Sequence, residues 1–329
     1  MQQRFVQYDI LKGIGILLVI VCHAGLGGFW KVLFYSFHMP LFFFVGGCFF
    51  HNYHFGDYLV KNVKQLLIPY LLFVLCMIIV RSFQDVNLSS YWMSISNAFT
   101  SIDPLDESDC YLYESIWFLI CLFNVRILYW FINYVCNGML EWKVVVCVLL
   151  YVIGYVLQRA EINIPLFIDT SLSVVIFYAM GEVFHAKGLD DVRVSWWLIL
   201  IAIAICIIAC WFLRPSVELK DNQYPLYLIL ISPIMISSLY FLSKGLSRFP
   251  DNMAVSFLNR AGVGSLCILG FHNQFFWIIG HFLNRILASF TSTFLEVLLV
   301  ASMVLFTVLI ILQIEKMIDR FAPFLLGKF

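Results

Sequence analysis

Residues 8–23 read YDILKGIGILLVIVCH, an apolar run with a lysine, Lys12, towards one end and a histidine, His23, at the other. As an α-helix it places those two groups on one face. They are eleven residues apart, about 1100° of rotation and so about 20° from three full turns, with an axial rise of about 16 Å. Asp9, three residues before Lys12, is positioned to pair with it. A signal peptide would have a shorter apolar core and a small-residue cleavage site. Further apolar runs follow directly, so residues 8–23 read as the core of a first transmembrane helix.

Composition extends that reading to the whole chain. Hydrophobic residues make up 62% of the 329 residues and charged residues 12%, with a mean hydropathy of +0.93. Soluble domains carry about 25% charged residues. So few charges do not cover a water-exposed surface of this size, and lipid is the expected solvent. Net charge is zero and no basic stripe is present, which argues against a nucleic-acid partner. The ten cysteines are scattered through apolar runs without a C-x-x-C pair or zinc-type Cys/His spacing. They read as small buried hydrophobes, and no metal site is expected.

About ten spans are predicted, giving an all-α polytopic membrane protein. They lie near 10–28, 33–51, 66–82, 116–135, 143–159, 166–186, 195–213, 222–242, 264–283 and 292–316. The stretch 51–64 is amphipathic and expected at the interface. Of the 20 Lys and Arg, thirteen fall on the side shared by both termini and six on the other. The richer side is expected to be cytoplasmic, with both termini inside. The one sizeable loop, about 83–115, then faces outward and is acidic (Asp85, Asp103, Asp106, Glu107, Asp109, Glu114).

Ionisable residues within spans are costly and point to function. His38 sits about as far into the second span as His23 lies from the end of the first. A short turn joins the two, so the imidazoles are expected at similar depth, facing one another. A neutral imidazole can take a hydroxyl proton near neutral pH. His272 lies in the middle of the ninth span. Arg126, in the middle of the fourth, requires a partner or a polar cavity.

These stretches resemble the acyltransferase family 3 membrane proteins, particularly the short fucose 4-O-acetylase-like sugar acetyltransferases. Residues 8–23 are similar to the family's opening pattern of a basic residue, ten residues and a histidine. Residues 37–47, FHMPLFFFVGG, resemble F-H-M-P-L-F-F-F-x-S-G, with Gly46 where the family usually has serine. Residues 61–70, KNVKQLLIPY, resemble an arginine-richer family stretch, with Lys64 and Gln65 as departures. Residues 115–119, 166–172 and 177–181 resemble later motifs, in the family's order. The likeness covers nearly all of 1–329 as one acyltransferase domain.

The resemblance implies ten spans, an acyl-CoA donor on the cytoplasmic side and an acceptor usually on the other. Acetyl transfer from acetyl-CoA to a sugar hydroxyl of a cell-surface or lipid-linked glycan is therefore expected, in the plasma (inner) membrane. Lys12, with Lys61 and Lys64, would hold the CoA phosphates. His23 would serve as general base or transient acyl acceptor, and His38 would orient the substrate or donate to the oxyanion. Asp169, Trp117 and His272 are the expected acceptor-binding residues, a carboxylate and an indole suiting sugar hydroxyls and ring faces. Asp169 and Trp117 equally suit interfacial anchors. The alternative is a transporter or flippase for a lipid-linked sugar, in which the same polar hairpin lines a path.

Overall fold

The computed structural model describes residues 5–25, 28–82, 116–162, 164–213, 217–218, 221–222, 225–287 and 293–328. The acidic loop expected at 83–115 lies outside the described residues. The helices are α1 (Val6–His23), α2 (Gly28–Tyr35), α3 (His38–Cys48), α4 (Phe55–Asn62), α5 (Ile68–Ser82), α6 (Trp117–Val135) and α7 (Leu140–Arg159). They continue as α8 (Ile168–Ala186), α9 (Trp196–Leu213), α10 (Pro225–Leu246), α11 (Met253–Val263), α12 (Ser265–Leu287) and α13 (Thr293–Phe321). Two-residue strands, Val217–Glu218 and Asp221–Asn222, pair antiparallel between α9 and α10.

Eight of the described helical segments are long and apolar enough to cross a bilayer. The ninth expected span is a pair, α11 and the first half of α12, bent by 86° at Gly264. The apolar helix Trp196–Phe212, slightly shorter than these, accounts for the seventh. All ten expected spans thus have a helical counterpart, and the chain is an all-α polytopic membrane protein. Its surface differs from that of a soluble domain: Trp197 and Phe212 are 75% and 79% exposed, whereas Asn62, Thr170 and His272 are at most 1% exposed within an otherwise apolar core. Apolar side chains face lipid, and polar ones are sheltered between helices.

Two proline effects shape the site. In α3, Pro40 has no N–H for the carbonyl of Ser36, four residues earlier. The helix breaks there, and the Ser232 hydroxyl of α10 donates to that Ser36 carbonyl instead. His38 consequently opens a new helix. Pro69 likewise has no N–H for the Gln65 carbonyl, and its ring crowds that oxygen. The backbone widens into a π-turn over Val63–Leu67, closed by Ile68 N–H to Val63 O. Residues 55–64 of the stretch expected at the interface continue through α4 and the π-turn into α5 as one helical segment, Phe55–Val80.

Close helix approach holds the core. α11 packs along α1, and a Cβ on Gly13 would come within 2.0 Å of the Leu258 carbonyl oxygen. α3 packs as tightly on α8, where a Cβ on Gly47 would meet the Tyr178 carbonyl oxygen at 1.9 Å. Neither contact survives a side chain.

Candidate active site

α1 ends at His23, and α12 brings His272 against it across 249 residues of sequence. The rings stack with centroids 5.0 Å apart and planes 18° from parallel. His23 Nδ1 lies 2.7 Å from His272 Nε2.

The partners assign the protons. His272 Nδ1 is 2.9 Å from the carbonyl oxygens of both Ile268 and Leu269. Carbonyls only accept, so this nitrogen carries the hydrogen and Nε2 of neutral His272 is an acceptor. His23 must then donate through Nδ1–H, which leaves the lone pair of His23 on Nε2. The half-buried imidazole of His23 is held as a base, and His272 fixes its tautomer.

This differs from the expected facing pair of His23 and His38. The helix break caused by Pro40 turns His38 into the first turn of α3, where its Nδ1–H donates to Phe34 O at 2.5 Å. Its ring packs edge-on against Tyr35 at 4.8 Å. His38 is 1% exposed and stays within electrostatic range of His23. Its Nε2 is left as an acceptor.

A cavity of about 910 Å³ runs along α1 beneath these histidines. At the end where α1 begins, its wall includes Lys12, His51, Lys61, His185 and Lys328. At the other it reaches Ile16, Met39, Phe118 and Leu269. Met39 follows His38 in the chain, and Leu269 supplies one of the carbonyls that hold His272. The cavity therefore runs from a basic mouth towards the histidine cluster, whose three rings lie beyond its wall. Lys12, Lys61, Arg126 and Lys328 face it with, among the described residues, one carboxylate on the wall, Asp9, which pairs with Lys12 at 2.8 Å as its spacing predicted. At the mouth, burial opposes the charge of Lys328. Asp319 at 2.8 Å and Glu315 at 3.2 Å outweigh it and hold the amine above the ordinary lysine range.

Lys64 is not on the cavity wall. In a regular helix it would share a face with Lys61, but the π-turn changes the register, and Gln65 and Asn62 line the cavity with Lys61 instead. Gly46 also lines it, and a Cβ there would stand 3.0 Å from the Tyr178 ring. The serine usual at that place would crowd this tyrosine. Trp117 and Asp169 sit at the same end of the bundle as His23. The Trp117 ring meets Phe167 at 5.7 Å. Asp169 is buried and accepts from the Thr170 hydroxyl at 3.3 Å. Neither lines the large cavity.

Several polar groups were hidden in the sequence. Lys31 of α2 is near enough to His23 to act on it electrostatically. Lys143, a loop charge by sequence, is buried in α7 and bonds to Glu182 of α8 at 2.7 Å. Tyr129 and Asn133 complete that cluster. His185 pairs with Asp190 at 2.7 Å beside Tyr8 at the mouth. Arg126 Nη1 donates to Asn62 Oδ1 at 3.0 Å and Gln65 Oε1 at 3.2 Å, from helices too distant in sequence for pattern to join.

The geometry offers a positioned imidazole base beyond the inner end of a cation-lined cavity, an arrangement suited to activating a hydroxyl towards an anionic donor. The acyltransferase family 3 profile, described as an acyltransferase domain, matches residues 5–313. No curated protein and no solved structure matches the chain. With nearly its whole length covered by that profile, the chain belongs to acyltransferase family 3 and is a multi-pass membrane acyltransferase.

Proposed function

We propose that the protein moves an acetyl group from acetyl-CoA, entering at the basic mouth from the cytosol, to a hydroxyl of a cell-surface or lipid-linked sugar. The observation that carries this reading is the cavity that begins among Lys12, Lys61 and Lys328 and ends one helical turn from His272. The CoA phosphates pair with the cations, and the thioester reaches inward along α1. The acceptor approaches from the opposite side, past Trp117 and Asp169. In this reading both termini lie in the cytosol, as the lysine and arginine distribution favours, and the protein resides in the plasma (inner) membrane.

His23 Nε2 takes the proton of the acceptor hydroxyl as its oxygen attacks the thioester carbonyl. His23 becomes an imidazolium that still donates to His272 from Nδ1. The tetrahedral intermediate collapses with cleavage of the C–S bond, and the proton passes from His23 to the sulfur. The products are a sugar acetate and free CoA thiol. His38, with its Nδ1–H committed to Phe34, accepts from the acceptor at Nε2 and orients it. That tautomer suits orientation better than donation to an oxyanion.

The test uses purified protein in nanodiscs with labelled acetyl-CoA and lipid-linked glycan. Label should enter the glycan as an alkali-labile ester. His23→Ala should lower the rate by about 10²–10⁴, the usual range of a general base, with an unchanged thermal midpoint. Mass spectrometry of surface polysaccharide with and without the gene identifies the acceptor. Glycan movement across the membrane with no acetyl-CoA dependence would overturn the proposal.

A further inference from the structure

Arg126 stands in the middle of α6, nine residues from either end. Its surroundings differ from those of the other cations on the cavity. Lys12 and Lys328 each have carboxylates, whereas both hydrogen bonds of Arg126 end on neutral side-chain carbonyls, Asn62 and Gln65. Both use Nη1. Nε is buried and has no hydrogen-bond partner among the described residues. Nε–H and the neighbouring Nη2 form the side of the guanidinium fork that engages a phosphate or carboxylate bidentately. Among the described residues no acid occupies that side.

A second polar group stands beside it. Tyr58 is 5% exposed, and its hydroxyl lies beside Tyr178 and Asn62 without a well-aligned hydrogen bond among the described residues. Arg126, Tyr58, Asn62, Gln65 and Tyr178 all line the cavity. The cluster is built rather than incidental. Asn62 Nδ2 donates to Tyr58 O at 2.7 Å, which turns Oδ1 towards Arg126, and the π-turn brings Gln65 to the same guanidinium.

From this combination of a fixed guanidinium with an open fork and a buried hydroxyl without a well-aligned hydrogen bond, we infer that Arg126 and Tyr58 form an internal subsite for a diphosphate. Naming that diphosphate as the one in the acyl donor rests on the proposed function. Depth supports it. Arg126 lies about 13 Å along α6 from the end nearest the mouth and His23 about 25 Å along α1 from the same side. The difference, about 12 Å, is within reach of a peptide-like pantetheine arm of roughly four residue lengths, about 14 Å. Lys61 and Lys328, nearer the mouth, are then left for the remaining phosphate of CoA.

The experiment is calorimetric titration of the full protein in nanodiscs with acetyl-CoA, ADP and phosphate-free acetyl-pantetheine. Arg126→Gln should weaken ADP and acetyl-CoA about 10- to 100-fold, the range of a charged hydrogen bond, and leave acetyl-pantetheine unchanged. Arg126→Lys should recover only part, because an ammonium lacks the fork. Tyr58→Phe should weaken ADP less than Arg126→Gln does, in a variant that keeps the ring packing. Equal ADP affinity in wild type and Arg126→Gln overturns the subsite, as does equal weakening of ADP and acetyl-pantetheine. If Arg126→Gln fails to fold, wild-type ADP affinity in both Arg126→Lys and Tyr58→Phe overturns the subsite in its place. Arg126-dependent ADP binding without any acetyl-CoA binding keeps the subsite and overturns the donor reading. Acetyl-CoA binding indifferent to Arg126 does the reverse. Loss of ADP binding in discs of phosphatidylglycerol, with CoA unable to displace the lipid, reassigns the site to a headgroup and overturns the nucleotide assignment.

Discussion

Replacing His272 with alanine should slow acetyl transfer about 10- to 150-fold while leaving His23 in place. The figure follows from what His272 does. Its Nε2, 2.7 Å from His23 Nδ1, is the sole acceptor holding that proton among the described residues. During catalysis His23 becomes cationic, and a hydrogen bond to a charged donor contributes about 1.5–3 kcal/mol, a factor of roughly 10 to 150 in rate. Without it, His23 can rotate or switch its proton to Nε2, the nitrogen that must be bare. The assay is the initial rate of label transfer at saturating acetyl-CoA, with the thermal midpoint as a control on folding. His272→Gln should recover part of the rate, since its side-chain oxygen can accept from His23. The decisive measurement is the double variant. Because His272 acts through His23, His23→Ala/His272→Ala should be no slower than His23→Ala alone. Rates that fall multiplicatively would show independent roles and refute the dyad.

Two further outcomes follow from the polar residues around the cavity. Lys143→Met should destabilise the protein by about 3 kcal/mol, the low end for a buried pair, because half-buried Glu182 loses its cation but keeps the Tyr129 hydrogen bond, and adding Glu182→Leu should restore part of the loss; thermal unfolding in detergent measures both. Lys61→Gln should raise the KM for acetyl-CoA about fivefold, as for a partly solvated ion pair, and Lys64→Gln should not, because only Lys61 faces the cavity. Steady-state kinetics with varied donor separates the two.

Spans were legible in the sequence because the bilayer imposes both a length and a composition, and these survive in one chain without comparison. The pairing of Asp9 with Lys12 was legible for the same kind of reason: it is set inside one helix by the backbone repeat. The pairing of His23 with His272 was not, because the residues are 249 positions apart and no periodicity links α1 to α12. Local geometry hid the rest. A regular helix predicts Lys61 and Lys64 on one face, but Pro69 costs the backbone a hydrogen bond, and the resulting π-turn carries Gln65 to the cavity in place of Lys64. The signal was present in the proline, though not its consequence. Pro40 acts in the same way on His38, whose depth was foreseen but whose partner was not. At Arg126 the sequence supplied the question, a cation in mid-membrane, and only the packed helices supplied the neutral carbonyls that answer it.

The site also implies a division of labour between the two ends of the cavity, which one substitution can separate. Met39 is half-buried, lines the cavity and directly follows His38. Met39→Trp adds a rigid ring where the thioester must pass, far from the lysines of the mouth. A larger side chain in a tight core costs about 1–3 kcal/mol, but here it has cavity space to enter, so the fold should persist. If the donor lies with its phosphates outward and its acyl group inward, ADP affinity should stay at the wild-type value while kcat falls at least tenfold. Acetyl-pantetheine should bind more weakly, because its whole length occupies the blocked segment. An unaffected kcat would mean that the acyl group reaches His23 by another route. A fall in ADP affinity with kcat retained would reverse the donor's orientation, and with it the assignment of the basic mouth as the cytosolic entrance.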